Sequence, residues 1–227
     1  APSPGTVFAE EVGQLYKQIK ENPDRYPRGL TVRILLGNYP EVADLQWGTQ
    51  IYDALNEIRD AGVEKMVDPE IGWRLETANF AGTYPHSHTK FLVRDGAAAT
   101  AAGFNYGYLH FPVDHPSGKG YDLLDLALQV NGPVAQEAIS VYDDMWEGAN
   151  QVHCEDFVPP EGQDWRDTCV EMKDSGEHLP ELLKTHLPPE GDTNSFSLYR
   201  SSVNKEADNV IADSLASAQN TIKIMQA

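Results

Sequence analysis

Basic side chains are scarce in this chain. Lys and Arg together number 17 against 35 Asp and Glu, a formal charge of −18 over 227 residues. A net field of that sign offers nucleic acid no counterion-release attraction, so a nucleic-acid partner is not expected. Acidic charge of this kind keeps a surface soluble, and a phosphate can still be held where a pocket is locally basic. Long apolar runs are missing as well. Nothing in the sequence reaches the roughly 20 residues that a membrane-crossing helix needs, so no transmembrane segment is expected. Cysteine is nearly absent. Its two copies, Cys154 and Cys169, stand 15 apart in a Pro-, Gly- and acid-rich segment without a companion set of metal ligands. The pair reads as a loop-closing disulfide of an oxidising, extracellular environment, with two free buried thiols as the alternative. An initiator Met and a leader are lacking too. The opening APSPGTVF reads as a mature or trimmed product.

What is present is ordinary globular composition, 41% hydrophobic and 23% charged, in a length that holds one sizeable core or two small ones. Phe8, Val12, Leu15, Tyr16 and Ile19 recur at helical spacing and predict a helix from Thr6 to about Asn22. LTVRILLG, Leu30–Gly37, has the pattern of a buried strand. A second helix is expected over about Val42 to Ala61, with Leu45, Tyr52, Leu55 and Ile58 inward. IGWRLETANF alternates like a strand, KFLV and AAATAAG like a hairpin across an Asp-Gly turn, and LLDLALQVNG like a strand stopped at Gly132-Pro133. Val134, Ala138, Val141, Tyr142 and Met145 then predict a third helix. From about Gln151 to Asn194 periodicity fades among prolines, glycines and acids, which reads as a linker. SFSLYRSS and TIKIM look like strands on either side of a helical NKEADNVIADSLASAQN. Strands alternating with helices predict a layered α/β architecture with a mixed sheet.

Chemistry concentrates in HSHTKFLVRDGAAATAAGFN, His86–Asn105. If this stretch is extended, residues two apart share a face and His88 and Lys90 project side by side. A neutral imidazole can attack phosphorus, an ammonium can balance a phosphoryl oxygen, and the Asn105 amide can donate a further hydrogen bond. The small-residue run lets backbone and ligand approach closely. On spacing alone, a surface hairpin with scattered polar residues is the plainer reading. His86 stands four residues from Lys90 and reads as a flanking group. His110, Asp114 and His115 form a metal cluster on paper but fall in a Pro/Gly loop that reads as solvated. Tyr106, Tyr108 and Phe111 suit either core packing or contact with a substrate.

The spacing His88-x-Lys90-x4-Asp95-x6-Ala102-Gly103-x-Asn105 resembles the HKD signature of the phospholipase D superfamily, with Ala102 where glycine is commoner. GTVFAEEVGQLYKQIKENPDRYPRGLTVRILLG before the motif and DLALQVNGPVAQEAISVYDDMW after it look like the corresponding elements in secreted bacterial phospholipases D. The resemblance covers nearly all of residues 1–150. It implies a phosphodiesterase that hydrolyses or transfers phospholipid headgroup esters at a membrane or micelle surface, through a phosphohistidine and without metal or other cofactor. By the same resemblance His88 is the nucleophile, and Lys90 and Asn105 hold phosphate. Asp95 and Gly103 are structural members of the motif. Asp125 is the carboxylate that orients the histidine, as in catalytic triads.

In-line displacement also needs an acid on the leaving oxygen, opposite the nucleophile. The superfamily supplies it from a second HKD motif. No second His-x-Lys-x4-Asp occurs here. The resemblance therefore implies a first lobe over 1–150 lacking its N-terminal strand, a linker over 151–194, and a truncated start of a second lobe over 195–227. The missing half would lie on the same polypeptide or on a cleaved second chain. The alternatives are a one-motif homodimeric nuclease and a non-catalytic lobe that only binds phosphate or lipid.

Overall fold

Apolar residues three and four apart give the first helix one dry face. In the computed structural model, which describes residues 4–38, 50–81, 87–105, 107–173 and 205–223, α1 (Pro4–Glu21) buries Ala9, Val12, Tyr16 and Ile19. A 3₁₀ turn at Pro23–Arg25 leads to β1 (Leu30–Leu36). Next come α2 (Gln50–Asp60), with Ile51, Leu55 and Ile58 buried, a two-residue β2 (Val67–Asp68), and β3 (Trp73–Asn79). The part of the second expected helix before Gln50, with Leu45, lies outside the described residues. α1 passes close to the end of α2 because Gly13 has no side chain; a Cβ there would strike the Ala61 carbonyl oxygen.

Hydrophobic strands buried on both faces favour parallel pairing. β1 and β3 pair in parallel from Leu30↔Trp73 to Leu36↔Asn79, so their carboxyl ends lie side by side. β2 pairs antiparallel to β3. The main core fills in behind them. Trp73 is buried and meets the Tyr16 ring edge-on at 5.2 Å, with Leu75, Met66, Val63 and Ile34 around it.

A second sheet follows, wholly antiparallel: β4 (Phe91–Arg94), β5 (Ala98–Ala102) and β6 (Ala127–Asn131). The Asp-Gly turn between its first two strands puts Asp95 and Gly96 in the left-handed region, at φ 54° and 64°. α3 (Val134–Glu147) joins the two sheets. Tyr142 packs edge-on against Phe91 of β4 and stacks on Trp146, and the Arg33 guanidinium of β1 lies 4.5 Å over the Trp146 ring. Arg33 Nε in turn donates to Glu76 of β3 at 2.6 Å. Burial pushes the Tyr142 phenol up, so it stays protonated at any ordinary pH. The helix forms where its spacing predicts. Ala135, Ile139, Met145 and Trp146 are buried, whereas Val134, Ala138 and Val141 are only half-buried.

The expected linker needs a larger correction. Instead of leaving the domain at Gln151, the chain enters β7 (Asn150–Cys154), antiparallel to β3, and returns as β8 (Cys169–Met172) on β7. The Thr77 hydroxyl donates to the Val152 carbonyl at 2.8 Å, and Phe157 and Trp165 reach from the intervening loop into the main core. Two aromatic anchors pin to the core a loop whose other residues stay mostly exposed, as its composition reads. The rest of the 151–194 stretch, and the strand expected at SFSLYRSS, lie outside the described residues. α4 (Glu206–Ala216) forms where a helix is expected but buries only Ala207. The strand expected at TIKIM has no strand geometry over Thr221–Lys223, and its remainder lies outside the described residues.

The molecule is thus mixed α/β with a mixed sheet, as expected at that level. Among the described residues no helix is long and apolar enough to cross a membrane. Cys154 and Cys169 are disulfide-bonded, at directly paired positions of β7 and β8 with a sequence separation of 15. Replacing both by alanine should lower unfolding free energy by about 3 kcal/mol, the chain-entropy cost of freeing a loop of that size. Urea denaturation checks this. An unchanged midpoint would mean that Phe157 and Trp165 hold the loop by packing alone.

Candidate functional site

Backbone pairing, not proximity in sequence, assembles the site. Beyond the formal ends of the smaller sheet, Ala102 N donates to Lys90 O at 2.9 Å and Gly103 N donates to Leu126 O at 3.1 Å. Lys90 at the start of β4, Gly103 at the end of β5 and Asp125 just before β6 are thereby brought to one end of that sheet. His88 stands two residues before Lys90 on one flank, and Asn105 two residues after Gly103 on the other. Asp95 is at the opposite end of the hairpin, in its turn, and shapes backbone rather than the site.

The approach to His88 is not strand. Ser87 Oγ accepts from Thr89 N at 3.2 Å, folding the chain into a short turn around His88 ahead of β4. The expected side-by-side projection from strand alternation therefore does not apply there. Lys90 Nζ instead donates to the His88 carbonyl at 2.8 Å, so the lysine head is held against the histidine's own backbone. His88 is exposed, as a group that must meet a substrate has to be, and its imidazole makes no hydrogen bond among the described residues. The turn is moored to the larger sheet. Ser87 N donates to Gly37 O at 2.8 Å, just past β1, while Phe80 N donates to Leu36 O at 2.9 Å just past β3. The histidine thus sits outside the carboxyl ends of two parallel strands, where open α/β sheets place their ligands.

Asp125 lies over Gly103, and its carboxylate fills the space a Cβ on that glycine would take. Its Oδ1 accepts from Leu126 N at 2.7 Å. Partial burial pulls the Lys90 ammonium below its usual range, and the Asp125 charge opposes that shift. The carboxylate's electrostatic partner is therefore Lys90. Among the described residues its hydrogen bond is the one from the Leu126 amide, and none joins it to His88. Asn105 is exposed, and its carbonyl accepts from Gly107 N at 2.8 Å. A base, a cation, an amide and a carboxylate gathered on small residues can bind an anionic ester and deliver a nucleophile to it.

The loop after the motif is built, not loose. Leu123 N donates to Leu109 O, Asp122 N to Phe111 O, and the Asp122 carboxylate accepts from Val113 N at 2.7 Å. Tyr108 and Phe111 pack edge to face, with Lys119 over the Tyr108 ring. His115 hydrogen-bonds Ser117 Oγ at 2.9 Å and lies against Phe111, while His110 lies against Phe104. His86 and Tyr106 fall outside the described residues. Sequence reasoning missed Gly37 and Ser87; Gly37 was legible only as the stop of a strand, and the contact between the two spans fifty residues of chain. Comparison with family models, curated proteins and solved structures returns no match for this chain.

Proposed function

We propose that this chain supplies one catalytic half of a phospholipase D-type phosphodiesterase acting on phospholipid headgroup esters. The observation that supports the reading is that the Lys90–Ala102 and Gly103–Leu126 pairings bring Lys90, Gly103 and Asp125 to one sheet end, with His88 two residues before Lys90 and Asn105 two residues after Gly103. In the first step a nitrogen lone pair of His88 forms an N–P bond and the P–O bond to the headgroup alcohol breaks. Lys90 and Asn105 hold the non-bridging oxygens as charge develops on them. The leaving alkoxide takes a proton from an acid on a second HKD-bearing half, on the same polypeptide or a separate chain. Water then attacks phosphorus, giving its proton to that same group, now a base, while the N–P bond breaks and phosphatidic acid leaves; an alcohol in place of water gives phosphatidyl transfer. The disulfide supports an oxidising, extracellular setting.

The test is mass spectrometry on the native, non-reduced protein together with whatever polypeptide accompanies it. During turnover of short-chain phosphatidylcholine, rapid quenching should trap a phosphatidyl adduct on the peptide that contains His88. Turnover with the adduct on another residue would sink the assignment. A symmetric dimer of this chain that cleaves DNA and leaves the lipid untouched would replace it with the one-motif nuclease reading.

A further inference from the structure

The larger sheet holds most of the hydrophobic core, and the smaller sheet holds most of the site. Something has to fix one against the other where His88 stands. α3 does so from behind, through Phe91, Tyr142, Trp146 and Arg33. At the site itself the joint is a contact between two backbones. Gly37 O accepts from Ser87 N at 2.8 Å, and the Gly37 Cα faces the Ser87 carbonyl so closely that a Cβ would overlap its oxygen. The opposing atoms are backbone and have no rotamer to escape into. Both partners are held from their other sides. Asn38, at φ 55°, donates from Nδ2 to Phe80 O at 3.2 Å, which ties the Gly37 segment to the end of β3. Ser87 Oγ accepts from Thr89 N, and Lys90 Nζ closes on His88 O.

We propose that Gly37 is a positioning residue for His88: its bare Cα is the seat on which the Ser87 backbone rests, and that seat sets where the imidazole stands relative to Lys90. Gly37 touches no substrate. It acts through one peptide unit, which is short enough that displacing Ser87 must displace the next residue. A methyl group at position 37 pushes the His88 turn off the end of β1, while the Lys90 end of β4 stays paired to Ala102. The distance between nucleophile and phosphate-binding lysine changes, and with it the attack geometry. The catalytic part of this inference rests on the phosphodiesterase reading; the placement of His88 does not.

The experiment uses the native protein together with whatever polypeptide accompanies it, with ¹⁵N-labelled histidine, the His88 ring resonances being assigned by their loss in His88→Gln. Gly37→Ala should shift the His88 ring resonances and lower kcat on the order of 100-fold, as misplacement by about 1 Å does elsewhere, with KM changed far less. Gly13→Ala is the control. It also forces a Cβ onto a backbone carbonyl, but at the α1–α2 crossing, and should lower the melting temperature without moving the His88 signals. Unmoved His88 resonances in a folded Gly37→Ala protein would overturn the proposal and leave Gly37 a purely structural glycine. Shifted resonances in a protein whose parent, assembled with its second half, shows no phosphodiester turnover would keep the positioning role and reject the phosphodiesterase reading.

Discussion

Replacing His88 by alanine should abolish phosphodiester turnover in the assembled enzyme, by about four orders of magnitude or more, the scale on which loss of a covalent nucleophile acts. The loss should come without loss of the fold. His88 is exposed, its imidazole makes no hydrogen bond among the described residues, and the turn around it is closed by the Ser87 hydroxyl and the Lys90 ammonium reaching backbone atoms. An alanine keeps all of those. The unfolding free energy should therefore stay within roughly 0.5 kcal/mol of the parent. Stopped-flow release of the headgroup, read beside thermal denaturation, separates the two quantities. Retained turnover would remove His88 from the chemistry whatever the spacing of its neighbours.

The second large effect falls on Gly103. A Cβ there lands on the Asp125 carboxylate, and the carboxylate is what yields, since Asp125 is exposed and short. Lys90 then loses the charge that opposes its desolvation. The sign follows directly. A nearby negative charge raises the lysine's proton affinity, so its removal lowers it, and the ammonium that balances phosphate is lost at a lower pH. Gly103→Ala and Asp125→Asn should both draw the alkaline limb of the kcat/KM profile toward neutrality. Each should cost on the order of 100-fold in turnover. If the glycine acts by seating the carboxylate, the two losses will not add: Gly103→Ala in an Asp125→Ala background should cost almost nothing further. Additive losses in that cycle would show that Gly103 serves the backbone and not Asp125.

Local pattern carried a good part of this molecule, and long-range contact the rest. The period of Val12, Tyr16 and Ile19, the apolar run of Leu30–Leu36, and the Asp-Gly turn between KFLV and the alanine run each name an element without reference to anything distant. The spacing of His88, Lys90 and Asn105 is legible in the same way. α3 forms where its spacing predicts, while the residues it buries depend on where Phe91 and Arg33 stand, far off in sequence. The segment after Gln151 was misjudged outright. Polar composition says loop, yet Phe157, Trp165 and the cysteine pair hold it to a sheet begun more than a hundred residues earlier. Asp125 reads from the sequence as the carboxylate that orients the histidine; the fold sets it over Gly103 with Oδ1 on the Leu126 amide, a placement that spacing alone does not give.

The main hydrophobic cluster draws on α1, β1, α2, β3, β7 and the loop carrying Phe157 and Trp165, and on no residue of β4, β5 or β6. Foundation and workshop are thus different parts of the building. Drift in the core will show first as altered abundance, and drift in the alanine-rich hairpin as altered rate, so the two kinds of change can be selected almost independently. Besides α3, the exception is the short bridge at Gly37 and Ser87, where a single methyl group would be felt on both sides.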